Sequence, residues 1–376
     1  MSNEQVAAKT VEGRVSKWDN AKLVLMFFVV LGHLINETVL YTYKEEYSML
    51  EKWVFYIYTF HMPAFIFISG LFSKKTVDNK RYDKIGSYLR LYFVMTFVVF
   101  FSKFIARGRA PYTVLYEIGV PWYALALFSM YLIMIFLKPY NKIEMVIGTM
   151  LLGMLVGYDR RIGSFLVLSR TLTFLPFFVI GYYLDAKKLL EFLEKKWVKI
   201  TSAVVLVAYA GIVHLNIEPM YFLYKNFLKG RSTYRSTFKI AIVGKGWNAA
   251  GFLYRFLYYI IAFIIMMAFF SVISNKKNPL TKFGSRTLGV FAIHFGVLTI
   301  MIECFKYHKM VREVCENNQY LAMLILLVSS VVIQGVLSIK PVAMFMNKIM
   351  STPNSTWSEK KTVKTETETK NNIESE

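Results

Sequence analysis

Cysteine is almost absent: Cys304 and Cys315 are the only two in 376 residues. A chain this poor in thiols has neither a disulfide framework nor a cysteine metal site to hold it together. Whether the two pair across the connection they flank is open. Acidic residues are scarce as well, 24 against 45 lysines and arginines. No unit of 20 to 50 residues recurs, which argues against solenoids and propellers. Nor are there inverted halves of the kind common in secondary transporters. The first apolar run has no small-residue cleavage site, so it reads as a retained span rather than a removed signal peptide. No serine or cysteine with an adjacent base stands out as a nucleophile.

What fills the chain instead is apolar: 56% hydrophobic and 17% aromatic residues, too much for an ordinary soluble domain. The fold class expected is all-α, a polytopic membrane protein. A net charge of +21 would suggest nucleic acid in a soluble protein. Here no basic stripe with stacking aromatics lies outside the apolar runs, and membrane topology accounts for the lysines and arginines.

A spanning helix takes roughly 20 apolar residues, and about ten runs qualify: 22–40, 53–72, 88–105, 121–137, 143–157, 165–184, 198–215, 250–273, 287–305 and 321–345. The run at 143–157 is short. The connections 73–86, 138–142, 185–197 and 274–286 and the two ends hold most of the lysines and arginines, whereas 41–52, 106–120 and 158–164 hold two each. By the positive-inside rule both termini are cytoplasmic. The exception is 216–249, an external connection with Lys225, Lys229, Arg231, Arg235, Lys239 and Lys245, but long loops obey that rule weakly. The expected organisation is a cytoplasmic segment 1–21, a membrane domain 22–350 and a disordered cytoplasmic tail 351–376, the last because it lacks apolar residues.

Ionisable groups inside a bilayer are costly and mark function by default. Those within the runs are His33, His61, Arg170 and His294, with Lys22, Lys103, His214, Arg255 and Glu303 nearer the edges. His33 lies roughly 16 Å along the helix from Lys22, and His61 roughly 12 Å from the outer edge of the second run, at a rise of 1.5 Å per residue. Two imidazoles at similar depth can face one cavity, where a neutral ring serves as a general base. The structural alternative is that each bonds a neighbouring helix. Pro63 and Ser69-Gly70 around His61 point to a bend or a close helix approach. Arg170 either snorkels outward or turns its fixed charge inward to steady an oxyanion. Trp122 and Tyr123 in "VPWYALALF" belong either to an aromatic belt or to a sugar-stacking platform. On the inner side Lys74, Lys75, Lys80, Arg81, Lys84 and Arg90 crowd beside Lys22, with Lys282 and Arg286 before the ninth run. Topology alone explains such a patch, and a phosphorylated donor would be attracted by it.

The order of "WDNAKLVLMFFVVLGHLI", "FHMPAFIFISGLFSKK", "YLRLYF", "PWYALALF", "RTLTFLPFFVIGYYL" and "SRTLGVFAIH" resembles the integral-membrane acyltransferase-3 family, and looks nearest to its fucose 4-O-acetylase-like branch. The resemblance covers roughly 14–300. It implies a ten-helix membrane domain in a cell membrane, that of a bacterium. It also implies an O-acetyltransferase carrying an acetyl group from cytosolic acetyl-CoA, the donor substrate, to a hydroxyl of a cell-surface or lipid-linked glycan. No tightly bound cofactor and no metal is implied; the partners are the donor, the glycan acceptor, membrane lipid and candidate glycan-assembly proteins, with no nucleic acid. His33 would be the essential histidine of the first helix, with His61 and Arg170 beside it. Lys22 stands where the family's arginine is usual, keeping the charge but losing the two-pronged fork. Lys22, Lys74, Lys75, Arg81, Arg90 and Arg286 would bind the donor, and Trp122 and Tyr123 the acceptor. Lys22 and His33 are separated by about the length of a pantetheine arm. The rival readings are a proton-coupled transporter using the same histidines and a membrane sensor.

Overall fold

A computed structural model describes residues 15–40, 48–116, 119–159, 162–222, 227–231, 233–238, 247–316 and 318–351. Among these residues no strand forms, and ten helices of 14 to 27 residues form the bundle. They are α1 Ser16–Ile35, α2 Ser48–Leu71, α3 Tyr82–Arg107, α4 Trp122–Leu137, α5 Lys142–Leu155, α6 Leu168–Tyr183, α7 Lys196–Phe222, α8 Trp247–Val272, α9 Thr287–Glu303 and α10 Gln319–Leu337. Each of the ten apolar runs is thus helical. Among the described residues six helices are long and apolar enough to cross a membrane, or seven if α9 and the helix Tyr307–Cys315, bent from it by 65°, count as one span. At 14 to 17 residues, α4, α5, α6 and α9 reach only about 21–26 Å, short of a hydrocarbon core of about 30 Å.

Large apolar side chains point outward along the bundle: Phe93, Phe97 and Phe101 on α3, Val204 and Val207 on α7, Leu324 and Val328 on α10. A soluble protein rarely leaves so continuous an apolar belt exposed; lipid tails accept it. The interior is filled by α2, which packs on α1, α6, α7 and α8. Where α2 meets α6 the backbones almost touch. A Cβ on Gly70 would strike the Phe178 carbonyl, and one on Gly181 the Phe67 carbonyl. The "ISG" of the second run is therefore a helix crossing seam, as its small residues suggest. The α-helix runs continuously through Pro63.

Two boundaries differ from the sequence reading. The segment 15–21 is not a tail, because α1 begins at Ser16 and its first turns are buried. Lys17, fully buried, donates to Glu194 and to the carbonyls of Ser271 and Ile273 at the end of α8. Asn20 donates to the carbonyls of Ser274 and Lys276. Apolar periodicity alone does not show such end-capping. The last run, expected as one span over 321–345, breaks after Leu337; Ile339 is extended and a separate helix, Lys340–Met350, follows. Pro341 lies in the first turn of the new helix, where its ring and missing N–H are tolerated and favour a helix start.

The connections at the end of the bundle where α1 starts are short and basic. In one of them Asp185 caps the helix Ala186–Leu193, accepting the Lys188 and Lys187 N–H groups, which hold its carboxyl below the usual carboxylate range. Cys304 and Cys315 are both free thiols. Residues 1–14 and 352–376, including nearly all of the expected tail, lie outside the described residues.

Candidate active site

At the end of the bundle where α1 finishes, the first apolar run delivers His33 into a cavity of about 760 Å³, including its open mouth. Four elements supply the sequence-predicted groups. His33 sits in the last turn of α1, His61 midway along α2, Trp122 at the first position of α4 and Arg170 in the first turn of α6; all four line this cavity. The depth match between His33 and His61, estimated from helical rise, is therefore a convergence in space.

Two imidazoles, those of His61 and His294, are held in defined tautomers. His61 places Nδ1 2.8 Å from the Ile57 carbonyl, so Nδ1 carries the hydrogen and Nε2 keeps its lone pair. His294 on α9 does the same with the carbonyls of Val290 at 2.8 Å and Phe291 at 3.0 Å. The His294 ring lies 5.5 Å from that of His33. Among the described residues, its Nε2 and the Nδ1 of His33 are both buried without a hydrogen-bond partner. Phe295 packs edge-on against His33, and Tyr58 against His61.

Arg170 does not snorkel. It is buried and lies over the Trp122 ring at 4.5 Å, so cation and indole are stacked. Trp122 faces the cavity but Tyr123 does not: adjacent helix positions point about 100° apart, and the Tyr123 hydroxyl bonds Ser69 inside the bundle at 3.1 Å. The expected aromatic pair is thus separated into one cavity residue and one packing residue.

The inner basic residues are not brought to the cavity; they lie at the opposite helix ends. Lys22 pairs with Asp19 at 2.8 Å. Arg81 pairs with Asp83. Arg90 donates to the carbonyls of Ile349 and Ser351, tying down the C-terminal helix. Lys74 and Lys75 are exposed, and Arg286 precedes α9. Among the other intramembrane candidates, Glu303 pairs with Arg107. The His214 carbonyl accepts from Lys52, and Arg255 is buried beneath the connection that follows α7.

Among the cavity residues that were not site candidates from the sequence are Asn36, Glu37, Lys229 and Arg231. Asn36 and Glu37 belong to a π-helical turn, Asn36–Leu40, which carries α1 past His33, and the Asn36 amide donates to Glu37. Such turns occur often at functional sites. A carboxylate four residues after His33 was a readable signal, since i and i+4 share a helix face. For Lys229 and Arg231 the signal was their departure from the positive-inside pattern.

With His33, a His61 of fixed tautomer and a stacked guanidinium around one cavity, the site can remove a proton and steady a developing negative charge. Among the described residues no group of three or more His, Cys, Asp or Glu could hold a metal ion. Comparison with curated proteins and with solved structures gives no match. A family model does match: residues 15–339, running from the start of α1 past the end of α10, fit the Acyltransferase domain, and the chain belongs to the acyltransferase-3 family.

Proposed function

We propose that this protein is a membrane O-acetyltransferase that moves an acetyl group from cytosolic acetyl-CoA to a hydroxyl of a cell-surface or lipid-linked glycan, as in the fucose 4-O-acetylase-like branch. The observation that carries this reading is the convergence of His33, His61 and Arg170 on one cavity within an acyltransferase chain. In this reading all ten helices traverse a bacterial cell membrane, the four short ones within a thinned or protein-lined region, with both termini in the cytoplasm. The basic end then faces the cytosol and the cavity opens outward.

The nucleotide end of the donor docks on the basic end, around Lys22, Lys74, Lys75, Arg81, Arg90 and Arg286, and its thioester arm extends toward His33. The acceptor enters from outside past Trp122. His33 removes the hydroxyl proton as the oxygen attacks the thioester carbonyl. Arg170 steadies the oxyanion. The C–S bond then breaks, and the coenzyme A thiolate leaves with the proton that His33 held. His61 and His294 keep acceptor nitrogens beside this path.

The proton-coupled transporter reading shares the histidines but finds no support, since the family is one of acyltransferases. The test is transfer from labelled acetyl-CoA to a glycan panel by the full chain in nanodiscs. Transfer that requires His33 is expected. Transfer that survives His33→Ala would remove the catalytic assignment, and solute uptake without transfer would restore the transporter.

A further inference from the structure

The three histidines gathered at this end of the bundle are not alike. His61 and His294 each turn Nδ1 back to the carbonyl four residues earlier on their own helix, that of Ile57 and that of Val290. His33 makes no such bond. Its Nδ1 is buried and, among the described residues, has no hydrogen-bond partner. His33 is also the half-buried one of the facing pair and lines the cavity, so the nitrogen it presents to a substrate is Nε2. Behind it stands His294, with no exposed surface and its ring centroid 5.5 Å from that of His33.

The hydrogen of His294 Nδ1 is taken by the carbonyls of Val290 and Phe291, so its Nε2 is a lone pair, buried and without a partner among the described residues. The rings of Phe295, edge-on to His33, and Phe291, beside His294, offer that lone pair no hydrogen. Resting on the acyltransferase reading above, we infer that His294 is the positioning residue of the general base: in the working state His33 donates its Nδ1–H to His294 Nε2. That bond keeps the His33 lone pair on Nε2, the side open to the acceptor hydroxyl, because which imidazole nitrogen carries the hydrogen is set by the bond the other nitrogen leaves it. The orienting partner is thus a second neutral imidazole from α9, anchored through its own Nδ1 to the backbone, where a carboxylate is the commoner choice.

The protons balance without leaving the site. As the acceptor oxygen bonds the thioester carbon, its hydrogen passes to His33 Nε2 and the ring becomes an imidazolium. Its Nδ1–H, now on a charged ring, makes the stronger bond to His294; catalytic hydrogen bonds that are long in an unliganded site tighten at this stage. When the C–S bond breaks, the Nε2 hydrogen goes to the thiolate sulfur and His33 is neutral again. The Nδ1 hydrogen stays on His33 throughout, so His294 never takes up a proton. It orients the base and steadies the charge on it.

The test combines a spectrum and a kinetic cycle on the full chain in nanodiscs. The chain has five histidines; with nitrogen-15 histidine incorporated, the His33 signals are those lost in His33→Gln. Solid-state NMR is expected to find the hydrogen of neutral His33 on Nδ1 in the starting protein and no longer confined there in His294→Phe. In transfer from labelled acetyl-CoA to a glycan panel, His294→Phe should lower kcat about tenfold or more, as the loss of one hydrogen bond to a charged group predicts, with both KM values unchanged. His294→Gln, whose side-chain oxygen can accept the same hydrogen, should recover most of that loss. In the His33→Ala background His294→Phe should cost nothing further, since the two rings act as a unit. A hydrogen held on Nε2 of His33 in the starting protein overturns the inference, and that measurement needs no variant of His294 to fold. A His294→Phe loss that persists at full size without His33 overturns it too. Transfer that requires His33 but ignores His294 removes the pairing and leaves the acyltransferase reading standing. A His33 tautomer that follows His294, without transfer to any acceptor, supports the pairing and overturns the acyltransferase reading instead.

Discussion

His33 and His294 face each other with ring centroids 5.5 Å apart and planes inclined by 47°, although 261 positions separate them. The backbone fixes the His294 tautomer, and among the described residues neither the Nε2 of His294 nor the Nδ1 of His33 has a hydrogen-bond partner. A ring that takes a proton from an acceptor hydroxyl acquires a second N–H, and the lone pair of His294 lies beside it.

That arrangement predicts unequal losses. His33→Ala should reduce acyl transfer by the full general-base contribution, about 10²–10⁴-fold. His294→Phe, similar in shape and without the lone pair, should lower kcat by a smaller factor and leave the acceptor KM near its starting value. Steady-state kinetics in nanodiscs check both. A His33→Ala protein that folds and retains transfer would contradict the role.

Arg170 should resist conservative replacement. Its planar guanidinium lies over the Trp122 ring at 4.5 Å, a stacking that lysine does not reproduce. Arg170→Lys is therefore expected to lose most of what Arg170→Ala loses, about 10²–10³ in kcat if the cation steadies the oxyanion. Rescue by lysine to near full activity would show that only a point charge matters there.

The seam between α2 and α6 sets a stability prediction. A Cβ on Gly70 or Gly181 would strike a backbone carbonyl on the other helix, Phe178 or Phe67, and a backbone does not swing aside as a side chain does. Gly70→Ala and Gly181→Ala should each destabilise by about 1–3 kcal/mol through overpacking. Thermal unfolding in detergent measures this. Because α2 carries His61 and α6 carries Arg170, activity should fall in the same variants; unchanged melting would refute the close approach.

At the opposite end, Lys17 is expected to be a stability residue rather than a catalytic one. Its buried ammonium joins Glu194, 2.7 Å away, to the carbonyls of Ser271 and Ile273. Lys17→Met removes every one of these donors and should cost roughly 1.5–3 kcal/mol, the range for hydrogen bonds to charged groups. Glu194→Gln keeps an acceptor and should cost less. A denaturation series on the two variants decides the order.

Much of the site was legible because its rarest residues lie in runs of predictable geometry. His33 and His61 could be matched in depth from 1.5 Å of rise per residue. Helix Ser16–Ile35 was located by its apolar length, though not its buried first turns, whose polar residues read as a tail. Side-chain direction was less legible: Trp122 and Tyr123 are neighbours in sequence but face different surroundings. Lys229 and Arg231 were visible as misplaced charges, yet their arrival at the cavity depends on a connection folding back over α6, and periodicity carries no information about that. The break after Leu337 had a local signal in Pro341 that the apolar run around it obscured.

Arg255 gives the last prediction. It is 1% exposed, lies over the rings of Phe227, Tyr258 and Tyr234 at 4.0, 5.6 and 5.8 Å, and reaches the cavity only through the segment that bears Lys229 and Arg231. A cation–π contact in so desolvated a place is worth about 2 kcal/mol, and the bond to the Phe227 carbonyl adds to it. Arg255→Leu should therefore loosen residues 227–231 while α8 stays helical. Kinetically, the acceptor KM should rise about tenfold or more, since 2 kcal/mol exceeds one decade, while the KM for the donor, which is bound at the other end of the bundle, changes little. Hydrogen exchange on the 227–231 segment should increase in parallel. Equal weakening of donor and acceptor would instead mean that Arg255 supports the bundle as a whole and not the mouth of the cavity.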